Sequence, residues 1–474
     1  MNVDKSKKIN DLSKNTILFT ISNFGSRILF FFLVPLYTYV LSTSEYGTVD
    51  LINTTVQLLI PILTLNIQDA VLRFSLDDEC SPYDVIDVGG KVIAISSGVL
   101  ALALFVLWAL GIITITPNYI IFLFVLFISG AINNNLSMYL KARDRVRLLA
   151  FWGIINTAIT CVFNIVLLLV MKLGVNGYLI SFVSGTIVAD IGMIITGGVF
   201  HDIKRGKWST NIVRSMLIYS APLIANSIGW WINNASDRYI LTFFGGTALN
   251  GIYAVSYKIP SILSAVQSVF YNAWSVSAIT EFDKDDSDGF IGNVYTAYSS
   301  MSILSCSCIM VLNIFIAKIL YSKDFFSAWH YVPFLLVGTA FNGLGLFNGC
   351  IYTAAKKTKD VSITTIIGAT INTALNFILI PFYGAYGAAF ATMVGYFFIW
   401  LIRLVRMRNI IVMKVNWKNN IMLMVILFLQ CVFATATGNF VLQIPFLFIL
   451  CILERRTIAK VYKAAKNMIS ARTR

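Results

Sequence analysis

Residues 174–185 read GVNGYLISFVSG, and residues 384–395 read GAYGAAFATMVG. Gly174 and Gly384, Gly177 and Gly387, and Gly185 and Gly395 stand at the same places in the two stretches, each pair 210 residues apart. Upstream, Asn156-Thr157-Ala158 followed by Asn164 is answered, at a different length, by Asn372-Thr373-Ala374 followed by Asn376. Such a period in a chain of 474 residues implies two similar halves. Long apolar runs flank both copies, so the halves are expected to be bundles of membrane helices.

The composition agrees. Of the residues, 58% are hydrophobic and 12% charged, with a mean hydropathy of +0.78. A soluble domain carries roughly a quarter charged residues, so a water-exposed globule is excluded. A spanning helix needs about 20 apolar residues. Fourteen segments qualify: 15–41, 46–74, 90–113, 118–140, 148–171, 175–200, 212–243, 249–280, 290–320, 328–354, 360–382, 385–408, 419–437 and the short 439–453. The first is too long for a signal peptide and lacks a small-residue cleavage site, so it reads as a retained helix.

Lys and Arg number 36 against 22 Asp and Glu, a net charge of +14. With fourteen spans, every basic cluster falls on one side: Lys5, Lys7, Lys8 and Lys14; Lys141 to Arg147; Lys204 to Lys207; Lys356 to Lys359; Arg403 to Lys418; and the C-terminal tail. That side is the cytoplasm, with both termini inside. The charge is thus mostly topological and implies no nucleic-acid partner. Acidic runs at Asp77 to Glu79 and Asp283 to Asp288 count little in this rule. Two His and seven scattered Cys point to no metal, cofactor or disulfide framework. No Gly-x-x-x-x-Gly-Lys-Ser/Thr loop occurs, so ATP hydrolysis is not expected of this chain.

A second repeat pairs span 2 with span 8. Gly47 matches Gly251, 204 residues on. Span 2 carries Asp50, Asn53, Gln57, Thr64 and Gln68, with Pro61 in the row; span 8 carries Lys258, Ser261, Ser268, Asn272 and Ser275. Steps of three or four place each row on one helical face. Such residues either glue neighbouring helices or line an aqueous cavity. Two rows in register favour the cavity. Six spans separate the copies, so the repeats are parallel. The expected architecture is all-α and polytopic, with about 14 transmembrane helices. Two six-helix repeats, 1–205 and 206–412, surround a central cavity, and residues 413–474 add two helices and a basic tail.

Ionisable residues inside spans are functional candidates. Arg27 lies mid-span on a face with Asn23, as either a substrate or gating cation or one half of a structural ion pair. Asn226, Trp230, Asn233 and Asp237 form a second polar face in span 7, and Arg238 follows; Asp237-Arg238 also suits a rim salt bridge. Lys258 lies just inside span 8, and Asp190 within span 6. Arg27, Lys258 and Arg238 suit phosphate or diphosphate oxygens. Amides, hydroxyls and rings at Asn23, Asn53, Gln57, Gln68, Asn226, Trp230, Asn233, Ser261, Ser268 and Asn272 suit sugars. Asp190, Asp237 and Asp50 are candidates for coupling to an ion gradient.

Tyr39-Val40-Leu41, Glu45-Tyr46-Gly47, Asp237-Arg238-Tyr239-Ile240-Leu241, the stretch from Gly251 to Pro260, and Gly384-Ala385-Tyr386-Gly387-Ala388-Ala389 together carry a resemblance. The chain resembles the multidrug/oligosaccharidyl-lipid/polysaccharide exporter superfamily and, within it, the Wzx-type oligosaccharide flippases, to about residue 410. The resemblance implies a twelve-helix core with two extra helices. It implies a flippase, not an enzyme, that moves undecaprenyl-diphosphate-linked oligosaccharide across the bacterial inner membrane for O-antigen, lipopolysaccharide or capsule assembly. Membrane lipid, a polysaccharide polymerase and chain-length proteins would be its partners. A cationic residue in helix 1 is a feature of related flippases, and Arg27 matches it. Rival readings are a multidrug exporter of the same superfamily and a lipid II flippase. A polysaccharide polymerase or ligase fits less well, because it would need a sizeable external loop.

Overall fold

A computed structural model describes residues 29–77, 79–111, 116–455 and 457–459. Among these, all regular structure is helical. The helices are α1 (Val34–Val40), α2 (Thr43–Leu63), α3 (Ile67–Ser75), α4 (Pro82–Ala109), α5 (Pro117–Ala142), α6 (Val146–Ile165), α7 (Gly174–Thr196) and α8 (Val199–Arg205). They continue with α9 (Thr210–Ser256), α10 (Pro260–Thr280), α11 (Phe290–Leu320), α12 (Val332–Ala354), α13 (Thr358–Met407), α14 (Trp417–Thr437) and α15 (Phe440–Leu453). A π-helical turn, Val166–Val170, ends α6, and a 3-10 helix, Lys323–His330, precedes α12.

Nine of the described helices are long and apolar enough to cross a bilayer, or ten if α2 and α3 form one bent span. The chain is a multi-pass membrane protein. Two of the long helices, α9 and α13, contain an interruption: Gly246 adopts φ 78° and Gly384 φ 52°. Only glycine enters this left-handed region without a steric penalty. The interruption at Gly384 separates the segments read as spans 11 and 12.

The repeated glycines do the same work in both copies. Gly174 opens α7 at φ +53°, as Gly384 opens the second limb of α13. Gly185 lies so close to Asn156 and Thr160 that a Cβ would overlap them, and at Gly395 a Cβ would stand 2.9 Å from Asn372 Cβ. The copies differ in length ahead of the turn: eighteen residues run from Asn156 to Gly174, but twelve from Asn372 to Gly384. The π-helical turn falls within the longer one.

Two expected spans are not straight. α2 and α3 meet at a 56° bend. Pro61 lacks the N–H of a helix interior, and Leu65 and Asn66 take left-handed conformations just after it. Span 8 breaks at residues 257–259, where Pro260 starts α10. The two polar rows are therefore not continuous helical faces. Gln68 lies beyond the bend in α3, and Lys258 lies in the break.

The sequence specifies the other helix ends locally. Ser42 and Glu45 form a capping box on α2, with the Ser42 N–H donating to Glu45 Oε2 at 2.8 Å. Pro82, Pro117, Pro260 and Pro333 stand in first turns, where no N–H is needed. Asp286, from the acidic loop, accepts from the N–H groups of Ile291, Gly292 and Lys414, so it caps α11 and pins the linker before α14.

The chain forms two compact units, Met1–Trp231 and Ile232–Arg474. In the first, Val71, Val85, Val88, Tyr139, Leu140 and Met193 make the main core. In the second, rings dominate: Trp274 stacks on Phe347 at 4.3 Å, and Phe270 on Tyr298 at 4.4 Å. A separate cluster packs Leu241 and Tyr253 of α9 against Ala385, Ala388 and Ala389 of α13. Asp237 of α9 lies beside this cluster, within reach of Thr392 of α13.

Arg403 corrects the sequence reading. It was assigned to a basic loop, yet it lies within α13 and is 2% exposed. Its guanidinium donates to Thr364 Oγ1 (3.0 Å), Gly345 O (2.7 Å), Val361 O (3.2 Å) and Thr365 Oγ1 (2.9 Å). It is a buried cation held by neutral acceptors and ties α12 to both ends of α13.

Candidate functional site

The second unit builds a polar cage around one carboxylate. Asp237 sits on α9, 2% exposed. Its Oδ2 accepts from Tyr253 at 2.6 Å and from Tyr257 at 3.2 Å, with Thr392 at 3.5 Å. Its Oδ1 accepts from the Arg238 backbone N–H at 2.9 Å. The next layer comes from α13: Asn372 donates to Thr392 Oγ1 at 3.3 Å, and Asn376 to Asn372 Oδ1 at 2.9 Å. Tyr396 donates to Asn234 at 3.0 Å. The Arg238 guanidinium lies over the Tyr257 ring, 5.5 Å from its centre, an attractive cation–π geometry.

This arrangement has plain chemical consequences. A carboxylate buried among hydroxyls and amides is costly unless those donors, a proton or a cation satisfy it. The donors around Asp237 are one backbone N–H and three hydroxyls, and a hydroxyl can reverse its role. The cage can therefore accommodate either a charged or a protonated carboxyl by rotating phenols. Asp237 is no exposed rim residue.

The first unit holds a simpler counterpart. Asp190 of α7 is buried, and Asn133 of α5 donates to its Oδ1 at 2.7 Å. Asp50 of α2 is half-buried. Among the described residues, no group of three or more His, Cys, Asp or Glu is placed to hold a metal ion.

The remaining sequence candidates scatter. Arg27 and Asn23 lie outside the described residues. Asn53 and Gln68 are half-buried and Gln57 is exposed. On α9, Asn226 and Trp230 are exposed, while Asn233 is buried. Ser261 and Asn272 are exposed and Ser268 is half-buried. The two serine hydroxyls donate to the carbonyls of Lys258 and Ala265, back within their own chain segment. Lys258 is half-buried.

The sequence reading reached Asp237 but missed its cage. Two signals were present. Tyr253 and Tyr257 stand four apart, 16 and 20 residues after Asp237, and Asn372 and Asn376 stand four apart in the repeat. Each pair shares a helical face.

The geometry can now be compared with known proteins. A family model described as a polysaccharide biosynthesis protein matches residues 12–276, more than half of the chain. The chain belongs to this family. The uncharacterized membrane protein MJ1068 of Methanocaldococcus jannaschii is 25% identical over 227 residues, 45% of this chain and 43% of that protein. The chain thus matches less than half the length of that relative. Among solved structures, lipid II flippase MurJ in an inward closed conformation superposes with a TM-score of 0.68 at 16% identity, over 93% of this chain and all of that one. An inward-facing multidrug resistance MATE family transporter of the MOP superfamily gives 0.62 at 13% identity, over 85% of this chain and 98% of that one. At such identities the likeness is one of fold.

Proposed function

We propose that this protein is a flippase for undecaprenyl-diphosphate-linked oligosaccharide. It would work by alternating access in the bacterial inner membrane, multi-pass with both termini cytoplasmic, supplying O-antigen or capsule assembly. The observation that carries this reading is the family match over residues 12–276 in a chain with the fold of a lipid II flippase. Arg27, Lys258 and Arg238 are the proposed diphosphate contacts, because guanidinium and ammonium groups suit phosphate oxygens. Polar residues at Asn23, Asn53, Gln57, Gln68, Asn226, Trp230, Ser261, Ser268 and Asn272 are proposed to meet the sugars. The prenyl tail needs no polar route and stays in lipid.

Asp237 is the proposed coupling group, acting by uptake and release of a proton or sodium ion. Its cage supports this role better than the Asn133 contact of Asp190 or the half-buried Asp50. Partnership with a polymerase and chain-length proteins follows from the same reading.

Deletion of the gene tests the proposal. Surface polysaccharide should disappear, and undecaprenyl-linked units should accumulate on the inner leaflet. Arg27→Ala should largely reproduce the defect. The fold shared with MurJ keeps lipid II as a second substrate reading; loss of cell-wall synthesis with normal surface glycan would select it. Drug sensitivity with normal surface glycan would select the multidrug reading.

A further inference from the structure

Within the second unit, α13 and α14 both pack on α12, and a groove opens between them. Its volume is ≈ 610 Å³. Phe397, Leu401 and Leu404 form one wall, Ile421, Val425 and Phe428 the other, and Phe341 of α12 lies at the base. No carboxylate lines it. Its polar groups gather at one end: Arg408, Trp417 and Asn420.

That end is chemically distinct. Arg408 is exposed and makes no salt bridge among the described residues. Lys418, also exposed, follows Trp417 and adds positive charge at the same level. Tryptophan favours the height of lipid headgroups. Asn420 is 4% exposed; its Nδ2 donates to Ser299 Oγ at 2.8 Å, while its Oδ1 is buried without a partner among the described residues. The Asn420 oxygen is enclosed by protein, so what this end offers a ligand is the Arg408 guanidinium, a donor for an anion.

The length of the groove narrows the occupant. Lining residues on α14 run from Trp417 to Leu429, about 18 Å at the helical rise of 1.5 Å per residue. One leaflet is about half of the roughly 30 Å hydrocarbon core. The groove thus matches the acyl chains of one leaflet. A substrate's polyprenyl anchor is far longer.

We propose that this groove holds one resident phospholipid of the bilayer with an anionic headgroup. Its chains lie between α13 and α14. Its phosphate meets Arg408, with Lys418 close by. Phosphatidylglycerol has this chemistry; phosphatidylcholine carries no net charge. The site is independent of what the protein transports.

The test uses the full chain in nanodiscs of phosphatidylcholine with added phosphatidylglycerol, and retained lipid is read by native mass spectrometry. One phosphatidylglycerol should persist on the wild type in preference to phosphatidylcholine. Arg408→Ala should lower its retention about ten-fold, the worth of one charged hydrogen bond. Val425→Trp should remove it by filling the groove with the charges intact. Val425 is 51% exposed, so this change is compatible with folding. Equal retention of both lipids, or wild-type retention by both variants, overturns the proposal. Displacement of phosphatidylglycerol by equimolar polyprenyl phosphate also overturns it, by making the groove a substrate-tail site.

Discussion

Replacing Asp237 with asparagine separates a carboxylate that merely holds the fold from one that carries an ion. Asparagine keeps the shape. Its oxygen can retain the Arg238 N–H bond, 2.9 Å in the wild type. Its NH2 then faces the phenols of Tyr253 and Tyr257, which stand 2.6 and 3.2 Å from Oδ2. Both phenols can turn and accept. Two charge-assisted bonds become neutral ones, each about half as strong, a loss of about 2 kcal/mol in all. Removing a buried charge offsets part of that. Asp237→Asn should therefore fold and melt only slightly below the wild type. Gradient-driven flipping should fall at least ten-fold, because an amide takes up neither a proton nor a sodium ion as a carboxylate does. The assay is appearance of a lipid-linked oligosaccharide on the far leaflet of proteoliposomes under imposed proton or sodium gradients, with melting measured in parallel. A well-folded variant that flips at the wild-type rate, with unchanged gradient dependence, would falsify the coupling role.

Three further outcomes follow from the geometry. At Gly387 a Cβ would stand 2.7 Å from the Leu379 carbonyl, whereas at Gly177 it would stand 3.1 Å from Leu167 O. Gly387→Ala should lose about 2–3 kcal/mol by overpacking against backbone and Gly177→Ala about 1 kcal/mol or less; equal melting of the two variants in detergent would contradict this. At Arg403 the chemically similar change should be the worse one. Lysine keeps a buried charge without the planar fork and should cost about 3 kcal/mol or more, while Arg403→Met should cost about 1 kcal/mol, an order that thermal melts can reverse. His330, in the 3-10 helix, lies 2.8 Å from the Tyr386 hydroxyl, and burial pushes its imidazole down from the ordinary value of 6.5. The unfolded chain then binds more protons than the folded one just below pH 6.5, so stability should hold above that pH and decline as the pH falls through it. His330→Gln should flatten the decline between pH 7.5 and 5.5.

The glycine repeat was legible because a left-handed turn and a close helix crossing each exclude a Cβ, and the glycines record both. The bend at Asn66 was less legible. Pro61 marked a weak point, but the direction of the bend depends on what α3 packs against. Arg403 misled because a charge near a span end looks alike in sequence whether it meets water or a pocket of two carbonyls and two hydroxyls. The Asp237 cage was half visible. Tyr253 and Tyr257 are local, but Thr392 lies 155 residues away and reaches Asp237 only through the packing of α9 on α13.

The unequal hairpins also have a history in them. If the halves arose by copying one ancestral bundle, six residues were gained or lost in one copy while the turn glycine and the asparagine facing Gly185 or Gly395 kept their places. The wide turn at Val166–Val170 lies where the longer copy departs from the shorter, just ahead of Gly174, which holds a positive φ as Gly384 does in the other copy.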